Sequence, residues 1–350
     1  MTAQDNVMVW DHQQAGHYEV WYLTCNHNPT RTGFWIRYVI EAPRAGEPYG
    51  MLWFAAFDAD DPTRTVALHT RVPITSLKDA AVPFAIQLGG AELRDDRARG
   101  RLAGAGHDVS WDLAWVPSPR THRHLPDLIY RTAFADTRAL APNLDVPVRG
   151  RIVVDGRRFD LDDMPGGQTH LWGRKHAHAW AWGHCNNFDD RRGVALEALS
   201  VVVKKRGVTT PPLTLLALYL DGEAHRLTEL RHTLLNRGQF GTARFVFSAR
   251  SSTIRLAGEF RCRPDDMVLA PYVDPDGEPC FCANSCVAHL ELTVRRRSSR
   301  FGRFAPPERL VSSAGAHFEV AGREPDPAIV RAHASLDPQP ASTTMPRSPC

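Results

Sequence analysis

Long apolar runs are what this sequence most plainly lacks. Nothing in it approaches the roughly 18 to 20 consecutive apolar residues that a membrane-crossing helix needs, and the longest candidate is the short stretch 213–220. The first residues, Met-Thr-Ala-Gln-Asp-Asn, supply neither a basic nor an apolar segment for export, so the expected location is the cytoplasm. Charge of one sign is scarce too. Lys and Arg number 42 against 39 Asp and Glu, and the net +3 excludes the broad basic field that would draw a nucleic acid or an anionic membrane to the surface. Cysteine is sparse and odd in number, 7 in 350 residues, and disulfides are not expected in a reducing compartment. Absent as well are a G-x-x-x-x-G-K phosphate loop, a G-x-G-x-x-G turn after a strand and a G-x-S-x-G elbow, which removes local support for nucleotide binding and α/β-hydrolase chemistry. A triad assembled from distant Ser, His and Asp stays open, because such groups meet in space.

What is there suffices for a core: 43% of the 350 residues are apolar, and the length suits two domains better than one. The apolar residues recur at alternate positions, as in Tyr18, Val20 and Tyr22, then Phe34, Ile36, Tyr38 and Ile40, then Val109, Trp111, Leu113 and Trp115. Such alternation predicts half-buried strands. Turn chemistry at 29–33, 58–62, Asp155-Gly156 and 274–277 bounds them, so antiparallel hairpins are expected. Helical candidates are few, and the one at 76–88 is interrupted by Pro83. The expectation is an all-β protein of two β units packed together, with sandwich and barrel both open. From 322 onward six prolines, no aromatic residue and a Ser-Thr-Thr run predict a disordered tail. The basic stretch 295–303 reads as a solvated strand end.

One segment is denser in chemistry than any other. Residues 168–188, QTHLWGRKHAHAWAWGHCNNF, hold three of the nine tryptophans and four of the sixteen histidines. In a strand, period two puts Trp180, Trp182, His184 and Asn186 on one face and Ala179, Ala181, Gly183 and Cys185 on the other. The small face lets another layer approach closely. The large face is either packed core or the wall of a cavity for a bulky apolar ligand, where indoles supply area and stabilise a developing cation while His or Asn fixes or protonates one position. A metal site is the competing reading, with His170, His176, His178 and His184 as imidazoles and Cys280, Cys282 and Cys286 as thiols. The spacing opposes it, since C-x-C-x-x-x-C matches no usual zinc framework. Period two instead places those cysteines on one strand face with Asn284, Ala288, Leu290 and Leu292 as small inward groups. No metal and no other cofactor is expected.

The stretch 148–156 (VRGRIVVDG), then 159–166 (FDLDDMPG) and 170–174 (HLWGR), resembles the central signature of the double-lipocalin superfamily that contains carotenoid 1,2-hydratases, tocopherol-cyclase-like proteins and AttH-like proteins. The stretches 33–38 (GFWIRY), 52–58 (LWFAAFD) and 272–277 (YVDPDG) agree with it, so the resemblance covers about residues 16–321. It implies two lipocalin-like antiparallel barrels side by side: residues 1–167, then 168–321 opened by the H-x-W-G-R block, then the tail at 322–350. It also implies an apolar ligand in a barrel or at the junction, since relatives hydrate, cyclise or isomerise polyene and terpenoid chains. One departure is visible. The hydratases carry an acid soon after the tryptophan pattern, whereas here only Asp189, Asp190 and then Glu197 follow.

The expected function is therefore proton-assisted cyclisation, hydration or isomerisation of an isoprenoid- or polyketide-like molecule, with a non-catalytic lipid or pigment carrier as the alternative. His170, in the most specific motif, is the first choice for moving a proton, against an inter-barrel hydrogen bond, and His184 the second. Tyr272 supplies a phenol to the same pocket or caps a barrel end. Trp172, Trp180, Trp182 and Asn186 shape the ligand site. Arg174 either meets an anionic ligand group or pairs with an acid such as Asp58, and Arg37 is either outward or paired. Trp35 and Trp53 fill a core or line the cavity.

Overall fold

The computed structural model describes residues 3–130, 132 and 135–332, and nearly all of them lie in strands or the turns between strands. The first half contains β1 (His17–His27), β2 (Thr32–Ala42), β3 (Tyr49–Asp58), β4 (Val66–Pro73), β5 (Lys78–Ala81), β6 (Phe84–Leu88), β7 (Ala91–Arg94), β8 (Arg97–Gly104), β9 (His107–Trp115), β10 (His122–Arg123), β11 (Thr137–Val154) and β12 (Arg157–Gly173). The second contains β13 (Ala179–Cys185), β14 (Ala195–Val202), β15 (Lys204–Lys205), β16 (Val208–Thr209), β17 (Leu213–Leu220), β18 (Glu223–Leu227), β19 (Arg237–Gly241), β20 (Arg244–Arg250), β21 (Ile254–Arg261), β22 (Val268–Val273), β23 (Pro279–Arg296) and β24 (Glu308–Gly322).

The two halves repeat one topology. The first sheet runs β4-β3-β2-β1-β12-β11-β9-β8-β7-β6-β5 with β10 beside β11, and the second runs β18-β17-β14-β13-β24-β23-β21-β20-β19 with β22 beside β23. In each, the first strand of the half pairs antiparallel with the last, β1 with β12 and β13 with β24. Each sheet curls until distant strands touch. A Cβ on Gly50 of β3 would overlap Leu88 of β6, and one on Gly238 of β19 would overlap Thr214 of β17 and Ser200 of β14. The fold is all-β, two lipocalin-like barrels packed side by side.

Each barrel is filled by its own side chains, Trp21, Phe34, Phe54 and Trp111 among them in the first and Phe245, Phe247, Phe260 and Phe318 in the second. A third apolar cluster lies between the sheets, where Tyr18, Val20, Trp35, Trp53 and Phe57 meet Val268, Ala270, Cys286 and Val287. That is why β2 is buried at every position: one face looks into its barrel and the other onto the second sheet. The approach is close enough that a Cβ on Gly33 would overlap the backbone of Cys286.

Most of the alternating segments form the strands expected of them, and Asp155-Gly156, both at positive φ, make the tight turn between β11 and β12. Four expectations change. The segment 76–88 is not helical, because Pro83 sits in the turn of the β5–β6 hairpin. The division placed at 167/168 falls inside β12, so the H-x-W-G-R block ends the first sheet rather than opening the second. The cysteines do not share a face with Ala288, Leu290 and Leu292: irregular pairing between Ser285 and Leu290 swaps the faces of β23, leaving Cys280, Cys282 and Cys286 between the sheets and the others in the barrel. The tail is ordered as far as 332, with a short helix at Pro327–Ala332 that buries Ile329, and the rest of the expected disordered tail, 333–350, lies outside the described residues. Among the described residues no helix is long and apolar enough to cross a membrane, and all six cysteines are free thiols.

Candidate functional site

Along β13 the alternation is as the sequence predicts. Ala181 and Cys185 enter the barrel core, and Gly183 leaves room for the Phe260 ring, which a Cβ would overlap. Trp180, Trp182 and His184 face the first sheet, with Asn186 beyond them. Strand pairing then supplies the acids that the sequence order withholds. Glu197 of β14 stands directly across from His184, and Glu319 of β24 across from Trp182. Glu197 accepts from Trp182 Nε1 at 2.8 Å and meets His184 Nδ1 at 2.7 Å. Glu319 accepts from Trp180 Nε1 at 2.7 Å.

More imidazoles converge on Glu197. The connection between β9 and β11 crosses toward the second sheet and brings His124 Nδ1 to 3.4 Å from Glu197 Oε2, while His122 Nδ1 is held by the Tyr219 hydroxyl at 2.8 Å. His317 of β24 lies beside His184, ring centroids 5.8 Å apart, and is tied through Nε2 to Asn26 Oδ1. His124 Nε2, His184 Nε2, His317 Nδ1 and Asn186 Oδ1 are buried with no hydrogen-bond partner. Burial pushes the His124 imidazole below its usual range against the pull of Glu197, and it pushes His122 and His317 further down, helped by neighbouring histidines. Glu319 moves the other way. Burial raises its carboxyl, although the Trp180 bond and Arg37 oppose the rise.

At the other end of the seam Arg37 is 5% exposed, its guanidinium 4.4 Å from the Tyr272 ring centre and 5.1 Å from that of Trp35. Among the described residues no carboxylate forms an ion pair with it, and its Nε lacks a hydrogen bond. It is turned inward between the sheets, which neither expectation for it foresaw. Tyr272 stands beside it, its phenol raised well above the ordinary value chiefly by burial. The cavity beside this seam is small, about 10 Å³, lined by Thr24, Asn143, Gln168, Trp182, His184 and Glu197 among others. That is room for about one water. The indole face expected to wall a hollow is packed instead, and Trp35 and Trp53 are packed with it.

His170, the first choice for a proton carrier, is elsewhere. It lies inside the first barrel, stacked on Trp21, with Nε2 on Glu19 Oε1 at 2.8 Å and Nδ1 on the Asp5 carbonyl at 2.7 Å, so neither nitrogen is free to serve a ligand. Trp172 is half-buried beside it. Arg174 is exposed and pairs with Asp136, while Asp58 is taken by Arg157, so the expected Arg174–Asp58 pairing is not formed. Asn186 donates to the Gly166 carbonyl and to Asp145. His176 pairs with Asp274 and stacks on Tyr18, and the histidine and cysteine set weighed for a metal is not brought together. Among the described residues, the group whose donor atoms do converge, all within 4.8 Å of one another, is His122, His124 and Glu197. Two signals were present in the sequence. His122-x-His124 sets two imidazoles close together in the chain, and Glu197 and Glu319 are lone acids among apolar neighbours, ALEAL and HFEVA.

A profile of the tocopherol cyclase-like family matches residues 145–322, half of the chain. Uncharacterised proteins from two strains of Mycobacterium tuberculosis are 27% identical over 293 residues, which is 81% of this chain and 84% of theirs. Among solved structures, CghA in complex with Sch210972 superposes with a TM-score of 0.54 at 12% identity, covering 87% of this chain and 88% of its own. An AttH protein of Nitrosomonas europaea superposes with a TM-score of 0.50 at 15% identity, covering 91% and 95%. Both share the paired-barrel fold. The family profile begins within β11 and ends with β24, so it takes in the whole ribbon that carries Trp180, Trp182, His184, Glu197 and Glu319: the chain belongs to the tocopherol cyclase-like family.

Proposed function

We propose that the protein takes an apolar isoprenoid- or polyketide-like molecule into the seam between its barrels and promotes a proton-assisted cyclisation, hydration or isomerisation there. The observation that carries this reading is the His184–Glu197 pair. A carboxylate only accepts, so Glu197 places the hydrogen of a neutral His184 on Nδ1 and leaves the Nε2 lone pair, which has no partner, as the base. Glu319, whose carboxyl burial holds in the protonated form to higher pH, is the complementary acid. The Trp182 ring is stacked on His184 and its residue pairs across the strands with Glu319, and its π face stabilises positive charge as it develops on an alkene. Membership of a cyclase-like family supports the reaction class, and the ligand bound to CghA supports a ligand site in this fold. A bulky substrate does not fit the seam as it stands, so entry requires the side chains around Trp182 to part.

The test begins with extraction of the purified protein into organic solvent and mass spectrometry of what is released. With that compound, or with a polyprenyl and polyene panel, the wild-type protein forms a product of equal mass or of mass plus water. His184→Ala and Glu197→Gln, shown by circular dichroism to be folded, slow the conversion about 10²- to 10⁴-fold. Wild-type rates in both variants sink the assignment. A single bound compound that the protein never converts assigns it to carriage instead.

A further inference from the structure

Beside the His184–Glu197 pair stands a constellation that the proton-transfer reading does not use. His122 opens the short strand β10, paired with Ala141 of β11, and His124 follows in the bend just beyond it, which turns the two imidazoles toward each other. They meet edge to face at 4.7 Å and reach across to the second barrel, where Glu197 waits. All three residues are buried, and their donor atoms lie within 4.8 Å of one another.

Hydrogen bonding does not account for this arrangement. His124, 4% exposed, makes no side-chain hydrogen bond among the described residues: its Nε2 has no partner, and its Nδ1 stands 3.4 Å from Glu197 Oε2. A buried imidazole without a hydrogen bond is unfavourable unless something else takes its lone pair. His122 is prepared differently. The Tyr219 hydroxyl at Nδ1 fixes the ring and leaves Nε2 to ligate, as outer partners do for metal-bound histidines. Glu197 is oriented in the same way by Trp182 and His184. Two imidazoles and one carboxylate are a nitrogen-rich set, which disfavours magnesium and calcium, both of which select oxygen. Three protein ligands with open positions are the donor set of a zinc-type site.

The geometry points to a binding site for a divalent, zinc-class transition-metal ion on His122, His124 and Glu197, joining the two barrels. It shares Glu197 with the proposed proton-moving pair but does not rest on that pair acting on a substrate. Untagged full-length protein, stripped with a chelator and dialysed, is titrated with zinc by calorimetry and with cobalt by visible absorption. One equivalent per chain is expected, with a cobalt spectrum of nitrogen and oxygen ligation. His124→Ala and His122→Ala weaken binding at least about 100-fold, and Tyr219→Phe weakens it about 10-fold through the lost outer contact. His184→Ala removes the proton-moving imidazole but none of the three ligands, so it still binds one equivalent, about 10-fold more weakly through the lost outer contact, and failure of the proton-moving pair and failure of the metal site are read separately. A folded wild-type chain that takes up neither ion, or a His124→Ala chain that binds zinc as wild type does, overturns the site.

Discussion

Glu19 shows what one buried charge accomplishes in this molecule. It is fully buried near one end of the first barrel and accepts from the backbone amides of Val9 and Trp10 at 2.7 and 2.8 Å, with ring nitrogens of His17 and His170 at 3.1 and 2.8 Å. It thereby pins the N-terminal segment, which also accepts from Trp21 Nε1 at the Asn6 carbonyl. Burial acts to raise its carboxyl, but the hydrogen bonds from His17 and His170 outweigh burial and hold it well below the usual carboxylate range. A lowered folded value contributes stability that is complete above the ordinary 4.5 and is lost as pH falls below it. Glu19→Gln is therefore expected to cost about 3–5 kcal/mol at pH 7, and to flatten the loss of stability between pH 4.5 and lower values. Urea unfolding of both chains at neutral and acid pH checks this, and a constant difference between them at every pH contradicts it. The same contacts give His170 a structural hydrogen-bonding role, inside the first barrel rather than between the two. The end of β12 that carries its motif is paired with β1 on one side and β11 on the other, and its partner Glu19 lies 151 residues away, where no local pattern can announce it.

At the scale of the element, β13 was readable because its two faces differ in size. The sequence shows an indole-rich face and a small face, and the structure places Phe260 against the latter. Gly183→Val is expected to destabilise by about 1–3 kcal/mol through overpacking, and Phe260→Leu in the same chain to recover part of that loss, a coupling that thermal melts of the four-chain cycle measure. Additive effects would mean that the ring moves aside freely. Strand β23 was not readable in this way. Its alternation holds from Cys280 to Cys286, then slips, so Leu290 and Leu292 turn into the barrel while the cysteines face the other sheet. An irregular pairing of this kind depends on the partner strand and leaves no mark in the period of its own residues. The acids of the site were hidden for a related reason. Glu197 lies 13 residues beyond His184 in the chain and directly opposite it in the sheet, a fact fixed by hairpin register rather than by spacing.

For the whole molecule, the duplicated topology raises the question of whether each barrel stands alone. Motif order made two barrels legible, but the outer face that each presents to the other was not, since a buried Trp35 or Trp53 looks the same in sequence whether its neighbour is a core or another sheet. The structure makes the halves interdependent. Separating them would expose Tyr18, Val20, Trp35 and Phe57 on one side and Cys280, Cys282, Cys286, Trp180 and Trp182 on the other, contiguous apolar surface of the kind that monomers rarely show. It would also strip polar partners, since Asn26 of β1 donates through Nδ2 to the Cys286 carbonyl and accepts at Oδ1 from His317 Nε2 of β24. Residues 3–173 and 174–332, expressed separately, are thus expected to bind a hydrophobic dye and aggregate, and the intact chain to unfold in one calorimetric transition whose van't Hoff and calorimetric enthalpies agree. Two resolved transitions, or a soluble dye-free fragment, would show that the seam is a contact between independent domains. That outcome would also bear on the site, because a seam that opens without loss of either barrel admits a bulky guest far more readily than one whose opening unfolds both.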